Sequence, residues 1–566
     1  MGSIIKKKIK NGLYYYYAES KRVNGKPTLV NQKYLGTAEQ LLSKVLTAQT
    51  PLQERVIDSL VYDFGAVALL YDIADRLDIV SVIDNFVPKR KQGASVGMYL
   101  LTEVINRAVN PKTTSKLEDW FSRTCLPQIT GIPAKAFTAQ NFWNNTKISE
   151  EVIQNIEDVL LKKIIETYEI DCSHLIYDAT NFFTYIDTNQ PCQTAKRGNC
   201  KQKRKDLRIV GLSLMVSTDF SIPLLHETYP GNRADSVQFP LMIQSLKQRY
   251  ERITGKKSDV TVVFDRGNNS QDNIDILESG DMPFHYVGGL KRNQASELFA
   301  ISKSEYTALN PEKFPGHSAY RKKIKAFNRE VTAVIVYNEE LERGQMQGVL
   351  HNIEKTTQLL LEEQKRLIMR ANKEITGGKK PTKESITNKI NKILKKEYMS
   401  EIFSWEILEK EEDFYLSFGE SKDALSNLCE RELGKTALFT DRDDMTDEEI
   451  IGAYRSAWHV ESGFRQLKDT SHLTVRPFHH WTDEKIRIHM FSCVLAYRLC
   501  CLLQKELAGY GITASLDMFL EEMATLQKVT TFFKAEKKPE VVESFTSGSP
   551  FAQAVDCIYQ LKEKYS

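Results

Sequence analysis

Two aspartates lie inside apolar runs that are typical of buried strands. Asp178 is in LIYDATNFFTYID (175–187), and Asp265 ends SDVTVVFD (258–265). A carboxylate in such a run is costly unless a cation or a proton offsets it. A single acid at a strand end is more often a turn or capping residue. Two such acids on neighbouring strands would indicate a shared cation.

A third acid, Glu461, lies in TDEEIIGAYRSAWHVESGFRQLKD (446–469). Thr446 and Glu449 have the spacing of a capping box, which predicts the start of a helix. At 100° per residue, one continuous helix would place Glu461 in the middle of an apolar stripe, on the face that carries Ile450, Tyr454, Ala457 and Phe464 and ends with Lys468. Either a salt bridge to another segment or a metal held jointly with the two aspartates would explain that position.

The residue types indicate the class of reaction. Carboxylates without His or Cys suit hard ions, Mg²⁺ or Mn²⁺. Two such ions roughly 4 Å apart stabilise both the attacking and the leaving oxygen of an in-line phosphoryl displacement. The sequence has no G-x-x-x-x-G-K-[ST] loop for ATP, and position 180 is Thr where an aspartyl phosphatase would carry a second Asp. His479, His480 and His489 are predicted to be helix-surface residues rather than a zinc site.

The elements around these acids predict an α/β fold. From residue 175 the order is strand, strand, strand, helix, strand, helix, strand, with the second and third strands turning near residues 219–221. This order favours a mixed sheet with helices packed on it. The polar stretch 338–397, which contains GGKKP, predicts long solvated helices that belong to an insertion.

The flanking segments complete the predicted organisation. Residues 12–36 predict two strands around Asn24-Gly25. LLYDIADRLDIVSVIDNFV (69–87) fits a helix-turn-helix or a plain helical core. The predicted regions are an N-terminal β-hairpin (1–50), a helical DNA-binding region (51–170), a catalytic core (171–291), an insertion (292–433), the second part of the core (434–505) and a C-terminal helical region (506–566).

Composition narrows the class only slightly. The 566 residues carry a net charge of +3, which neither demands nor excludes a polyanionic partner. No stretch approaches the ~20 apolar residues of a membrane span, and the first residues lack a secretory apolar segment. We therefore expect a cytoplasmic protein.

Six motifs occur in an order that resembles a known family. They are SVGMYLLTEVINRAVNPKTTSKLEDWF, LIYDATNFF, YPGNRADS, VTVVFDRG, YRSAWHVESGFRQLK and VRPFHHWTDEKIRIHMFSCVLAYRL. As a set they resemble the DDE transposases of bacterial insertion sequences, in the IS4-like group and its IS1634-type branch. The resemblance implies a ribonuclease-H-like core in which Asp178, Asp265 and Glu461 bind two Mg²⁺ or Mn²⁺ ions.

The resemblance also implies contacts with DNA. Tyr454 and Lys468 match signature residues that would position backbone phosphates, whereas the signature arginine is replaced by Ala457. Arg455 or Arg465 could supply the missing charge. The segment KRGNCKQKRKDLR (196–208) is either a phosphate track or a solvated loop, and its basic residues are Lys196, Arg197, Lys201, Lys203, Arg204, Lys205 and Arg208.

The expected activity is cleavage at the ends of an insertion sequence followed by joining of the 3′-hydroxyl ends to target DNA. The expected partners are the transposon ends, target DNA and a second copy of the chain in a paired-end complex, with end recognition in the helical region. Two alternatives stay open at this point: a metal-dependent nuclease of the same fold that does not join strands, and a catalytically silent DNA-binding relative.

Overall fold

The structure is a computed structural model. It describes residues 2–10, 12–23, 26–49, 56–88, 93–187, 189–198, 204, 206–255, 259–411, 413–469, 471–535 and 538–566.

A nine-stranded mixed sheet forms the centre of the molecule, in the order β10-β11-β12-β15-β9-β8-β5-β6-β7. Its strands are β5 (His174–Thr184), β6 (Arg208–Ser217), β7 (Pro223–Pro230), β8 (Thr261–Phe264), β9 (His285–Gly289), β10 (Thr307–Ala308), β11 (His317–Ala326), β12 (Arg329–Asn338) and β15 (Lys435–Thr440). Strands β5, β8 and β9 are parallel neighbours, and the other pairs are antiparallel. The predicted mixed α/β order from residue 175 is confirmed.

Helices pack on the sheet through their buried apolar side chains. The helices around it are α8 (Glu150–Tyr168), α9 (Asp235–Thr254), α10 (Gln271–Glu278), α11 (Ser296–Phe299), α16 (Asp447–Arg455), α17 (Trp458–Lys468) and α18 (Asp483–Gly509). A buried carboxylate, Glu157 on α8, accepts hydrogen bonds from Arg249 and Arg498 and pairs with His226. This network ties α8 to α9, α18 and β7, since a buried charge has to be paired.

Helix α18 is the central helix of the core. By length and composition it could cross a membrane, contrary to the expectation that no segment of the chain would do so, but 94% of its most apolar window is buried inside the protein. It contacts α8, β7 and an N-terminal helix, α4 (Val96–Val109). This burial is typical of a core helix.

The N-terminal part contains a separate small sheet and a helical layer. Strands β1 (Gly2–Ile9), β2 (Gly12–Val23) and β3 (Lys26–Gly36) form an antiparallel sheet next to α1 (Ala38–Gln49). The predicted strands 12–36 are present, and their turn residues lie outside the described part of the chain. The helical layer consists of α2 (Gly65–Arg76), α3 (Ile79–Phe86), α4 (Val96–Val109), α5 (Leu117–Ser122), α6 (Leu126–Thr130) and α7 (Ala139–Asn145).

The C-terminal region is not purely helical, which corrects the prediction for residues 506–566. Strand β16 (Gln527–Phe533) lies between β17 (Glu540–Phe545) and β4 (Val56–Asp63), so the two ends of the chain share a three-stranded sheet. The remaining elements are α19 (Leu516–Ala524), α20 (Pro550–Tyr559) and α21 (Leu561–Lys564). Pairing across more than 450 residues leaves no local signal in the sequence.

The segment predicted as an insertion is divided between two cores. Its strands β10–β12 extend the central sheet, and a second hydrophobic cluster forms from residue 349 to residue 433. That cluster is built from α12 (Glu339–Ala371), α13 (Lys383–Ile393), α14 (Met399–Ile402), β13 (Phe403–Lys410), β14 (Asp413–Glu420) and α15 (Lys422–Arg431). The long helices predicted for 338–397 are present.

Candidate active site

Asp178 and Asp265 leave neighbouring parallel strands at the same level. Tyr177 on β5 is the register partner of Phe264 on β8, and each aspartate is the next residue. Adjacent strands lie about 4.8 Å apart, and successive side chains point to opposite faces. Tyr177 and Phe264 both contact Phe239 of α9, with ring centroids 4.9 and 5.0 Å away. The two carboxylates therefore belong to the face of the sheet opposite α9.

Asp265 is held by the backbone and by a phenol. It caps a short 3-10 turn (Arg266–Asn268), where its Oδ1 accepts the Arg266 N–H at 2.7 Å. The Tyr454 hydroxyl donates to the same oxygen at 3.3 Å. Burial and the Asp265 carboxylate raise the pKa of Tyr454 to about 12, so the phenol keeps its proton at neutral pH. Gly289 allows this approach, because a Cβ there would lie 2.6 Å from the Tyr454 oxygen.

Helix α17 crosses the same face of the sheet. Lys468 Nζ lies 2.6 Å from Thr180 Oγ1 and 5.7 Å from the ring centroid of Phe182. Thr180 and Phe182 share the face of β5 that carries Asp178, since alternate residues of a strand point the same way. Glu461 occurs seven residues before Lys468, about 10 Å along the helix axis. One face of the sheet thus carries both aspartates and the helix that bears the glutamate.

Two predictions about Glu461 are wrong. The expected single helix is interrupted between α16 and α17. The Ser456 hydroxyl donates a hydrogen bond to the Ala453 carbonyl, and the Ala457 N–H donates to the Tyr454 carbonyl, three residues back, in a turn tighter than an α-helix. The side chain of Glu461 is exposed rather than set in an apolar stripe. The buried face of α17 consists of Val460, Gly463, Phe464 and Leu467.

The exposure of Glu461 removes the need for a buried partner. Among the described residues it forms no salt bridge within 4.0 Å, so the structural explanation for this acid has no support. The three acids also do not close around one point. In the described part of the chain, the only three potential ligand atoms within 4.8 Å of one another belong to Glu103, His480 and His489.

Comparison with known proteins identifies the domain that contains these acids. The Transposase DDE domain family matches residues 171–499, which is more than half of the chain. The chain belongs to this family of DDE transposases.

Solved structures give more distant similarities. A cryo-EM structure of the piggyBac transposase synaptic complex with hairpin DNA is 9% identical with a TM-score of 0.40, and the match covers 83% of this chain and 82% of that chain. A Mos1 transposase paired-end complex with left transposon end is 14% identical with a TM-score of 0.14, over 35% of this chain and 60% of that chain. No curated protein matches the chain.

A cleft beside the DDE acids contains residues that the sequence analysis missed. A cavity of about 690 Å³ lies between the central sheet and the inserted helix α12, and Arg266, Arg292, Lys435 and Tyr454 line it. Arg266 is exposed and follows Asp265 directly, whereas Arg292 is paired with Glu432. The motif VTVVFDRG contained this signal, because an arginine next to a strand-end aspartate has to lie at the same edge.

The two arginines considered as replacements for the signature residue differ in their surroundings. Arg455 is paired with His317 and lies 5.2 Å from the ring centroid of Phe314. Arg465 is exposed on α17 and donates to the Ser462 hydroxyl at 3.5 Å. Arg455 is therefore engaged with β11, and Arg465 extends from the same helix as Glu461.

The basic loop between β5 and β6 is described only in part. Lys196 pairs with Ile209 through both backbone groups, which fixes the start of the loop against β6. Arg197 is exposed, and Arg204 forms a salt bridge with Asp206 that neutralises part of its charge. Arg208 donates to the Gln190 carbonyl at 2.8 Å. Lys201, Lys203 and Lys205 lie outside the described residues.

Two of the three histidines near residue 480 are not surface residues, which corrects their prediction: His489 is buried and His480 is half-buried, whereas His479 is exposed in the segment before α18. His489 is buried, with Nδ1 3.0 Å from Glu103 Oε1 and Nε2 2.7 Å from the Val475 carbonyl. Although burial opposes its charge, Cys493 and Glu103 raise the pKa of His489 to about 10. Its ring stacks on His480 at 4.3 Å, so the in-plane nitrogens do not converge on one ion. We interpret the cluster as a buried ion pair.

Proposed function

We propose that the chain is the transposase of a bacterial insertion sequence, of the IS4-like group and its IS1634-type branch. It would bind the ends of the element, cleave the DNA there and join the freed 3′ ends to target DNA. The observation that carries the proposal is the β5–β8 register, which places Asp178 and Asp265 level on one sheet face within a transposase DDE domain. Glu461 is carried across that face by α17.

The strand order supports a ribonuclease-H-like core. Strands β5, β6 and β7 are antiparallel neighbours, and β8 and β9 continue the sheet on the other side of β5 in parallel. We infer that 171–291 and 434–505 form this core together with β10–β12. Residues 339–433 would then be the inserted unit, with 1–50, 51–170 and 506–566 as flanking regions.

The donor set fits a hard divalent cation. Asp178, Asp265 and Glu461 offer carboxylate oxygens only, and the exposure of Asp265 and Glu461 leaves both open to an ion and to DNA. These three residues would hold Mg²⁺ or Mn²⁺, with two ions as the expected number. When bound, the ions neutralise charge on the phosphoryl oxygens and favour ionisation of the attacking hydroxyl.

The remaining residues would bind and orient the strand. Tyr454 fixes one oxygen of Asp265, Oδ1, by donating a hydrogen bond to it. Lys468 presents an ammonium group beside β5, two residues beyond Asp178, where it can contact a backbone phosphate without reading the base. Arg266 and Arg465 would add positive charge near the acids that they neighbour in sequence, and Lys196, Arg197 and Arg204 of the loop after β5 would add further phosphate contacts.

The proposed reaction has two displacements at phosphorus. In the first, a water oxygen bonds to the phosphorus at the element's end, the bond to the 3′ oxygen breaks, and that oxygen leaves as a 3′-hydroxyl. In the second, this hydroxyl bonds to a target phosphorus and displaces the target's own 3′ oxygen. We infer that two copies of the chain bridge the two ends, in the cytoplasm of the host.

The test is a joining reaction. Purified protein is incubated with labelled duplexes carrying the DNA that flanks the gene and with a target plasmid, in Mg²⁺ or in EDTA. Joined products that require Mg²⁺ and are lost in Asp178→Ala support the proposal. Cleavage without joining would indicate a nuclease, and binding with neither would indicate a silent relative.

A further inference from the structure

The small N-terminal sheet concentrates positive charge. Residues 1–49 contain nine Lys and Arg but only two acidic residues, whereas the rest of the chain holds 68 basic and 72 acidic residues. The near-neutral net charge of the whole chain therefore conceals a strongly basic end. A basic patch on one element is the electrostatic footprint expected of a protein that binds a polyanion.

The register places these charges on one face. Lys6 pairs with Tyr15, Lys8 with Leu13, and Tyr17 with Lys33. Residues directly opposite each other in an antiparallel sheet share a face, as do alternate residues along a strand. The lysine face, as we name it, therefore contains Lys6, Lys8, Lys21, Lys33, Tyr15 and Tyr17.

The lysine face is open. Lys6, Lys8, Lys21 and Lys33 are all exposed, and the neighbouring apolar residues Ile4 and Leu13 are 58% and 54% exposed. Among the described residues of the three strands, the only acid on this face is Glu19, which accepts a hydrogen bond from the Tyr17 hydroxyl at 2.9 Å. The four lysines form no ion pair with any described residue, and the apolar side chains beside them are uncovered. Such a surface indicates a binding site for another molecule.

The opposite face differs in character. Tyr34 contacts Tyr16 and Tyr14, with ring centroids 5.2 and 6.0 Å away. Lys7 lies 5.2 Å from the Tyr16 ring and donates to Gln32 at 3.0 Å. Among the described residues of the three strands, the cations of this face are Lys7, which is engaged within the sheet, and Arg22, so the lysine face carries most of the open positive charge.

The dimensions match duplex DNA. Three strands about 4.8 Å apart span roughly 10 Å, and the 12 residues of β2 extend about 40 Å. The major groove of B-DNA is about 12 Å wide and admits a β-ribbon, and one helical turn is about 34 Å long. Exposed Ile4 and Leu13 would suit thymine methyl groups between the phosphate contacts.

We propose that the β1–β3 sheet is a DNA-binding module whose lysine face docks on the duplex beside the transposon end. The inference rests on the proposed function and adds a surface outside the helical region to which end recognition was assigned. The apolar residues that gave α2 and α3 their helix-turn-helix spacing, Ile73, Ala74, Leu77, Ile79 and Ile83, are buried.

The experiment measures the salt dependence of DNA binding by the full chain. The probe is a fluorescent duplex of arbitrary sequence, titrated at several salt concentrations, with the triple variant Lys6→Gln, Lys8→Gln, Lys33→Gln. Each lost phosphate contact lowers the slope of log K against log salt by about one. We expect a slope smaller by two to three and at least about tenfold weaker binding near 100 mM salt.

Two controls make the result specific. The control variant Lys365→Gln, Lys383→Gln, Lys395→Gln removes three exposed lysines from the inserted unit and is expected to bind DNA as the native chain does. The variant Lys6→Arg, Lys8→Arg, Lys33→Arg keeps the charge at the same positions and is expected to bind DNA as the native chain does. Such a result would show that the glutamine variant loses binding because it loses charge. Unchanged slope and affinity in the glutamine variant would overturn the inference.

Other outcomes separate this inference from the proposed function. If the glutamine variant loses binding to vesicles of anionic lipid but not to DNA, the face serves a membrane surface and the inference fails. If the native chain joins ends and the glutamine variant binds DNA with the native affinity, only the inference about the lysine face fails. If the native chain binds no DNA at all, the proposed function fails with it.

Discussion

The two aspartates and the glutamate of the candidate site are positioned in different ways. Asp178 and Asp265 are fixed by the hydrogen-bond register of β5 and β8, and Asp265 is fixed further by Arg266 N–H and Tyr454. Glu461 is exposed on an 11-residue helix, α17, which begins after the interruption at Ser456 and Ala457 and contacts β5 through Lys468. Backbone pairing determines the position of the aspartates, whereas the position of the glutamate depends on how α17 docks.

Loss of a metal ligand is expected to have the largest effect on cleavage, whether the ligand is an aspartate of the sheet or the glutamate of α17. Asp265→Asn and Glu461→Gln should each reduce cleavage by more than about 10³-fold, because each removes one charge from the site. Both residues are exposed, so the melting temperature should stay within about 2 °C of the native value.

These two variants are compared by cleavage rate and thermal unfolding, with Glu448→Gln on α16 as an acid outside the site. A large drop in melting temperature with retained cleavage in Glu461→Gln would assign the glutamate a structural role. Full cleavage activity in Asp265→Asn would remove Asp265 from the site.

Removing the contact that docks α17 should have an intermediate effect. Lys468→Met keeps the aliphatic stem over Phe182 but loses the hydrogen bond to Thr180 and the charge for a phosphate. We expect cleavage to fall by about 10- to 100-fold, as is usual when a residue supporting a metal ligand is lost. The variant Thr180→Val tests the docking contact alone, and no loss in either variant would show that α17 docks without this contact.

Removing the phenol that holds Asp265 should have a smaller effect. Tyr454→Phe loses one donor to Asp265 Oδ1, while the Arg266 N–H still binds the same oxygen. We expect about a tenfold reduction in cleavage, measured together with the divalent-ion concentration that gives half-maximal rate. A rate equal to that of the native chain would mean that the backbone alone positions the carboxylate.

The same phenol predicts a pH dependence of stability. Burial raises the pKa of Tyr454 to about 12, above its value of about 10 in the unfolded chain. The contribution of the protonated phenol to the free energy of unfolding is fully present below pH 10. It is lost as the pH rises toward 12, because Tyr454 ionises in that range only in the unfolded chain. Urea unfolding at pH 9 and pH 11 should show a smaller loss for Tyr454→Phe than for the native chain. Equal losses would place the phenol in water.

The sequence predicted the parts of the fold that have local signals. The order of β5 to β9 and their helices follows from apolar runs bounded by turn residues, and the capping box of Thr446 and Glu449 is observed. The proximity of Asp178 and Asp265 could also be inferred, since one acid lies within a strand of the sheet and the other ends a neighbouring strand.

Other features depend on contacts that a sequence pattern does not contain. The interruption at Ser456 and Ala457 follows from side-chain and backbone bonds that compete with the helix, and it turned Glu461 to the exterior. The pairing of His489 with Glu103 joins residues that are 386 positions apart, and the pairing of β4 with β16 joins segments that are also far apart in the sequence. Composition averaged over 566 residues also concealed the basic N-terminal sheet.

The most direct test of the central claim is to locate the bound divalent ion. Fe²⁺ in place of Mg²⁺, with ascorbate and peroxide, generates hydroxyl radicals that cut the polypeptide next to the ion, and mass spectrometry then maps the cuts. We predict cuts near residues 178, 265 and 461 that excess Mg²⁺ suppresses and that Asp178→Ala abolishes. Cuts confined to the surroundings of Glu103, His480 and His489 would contradict it.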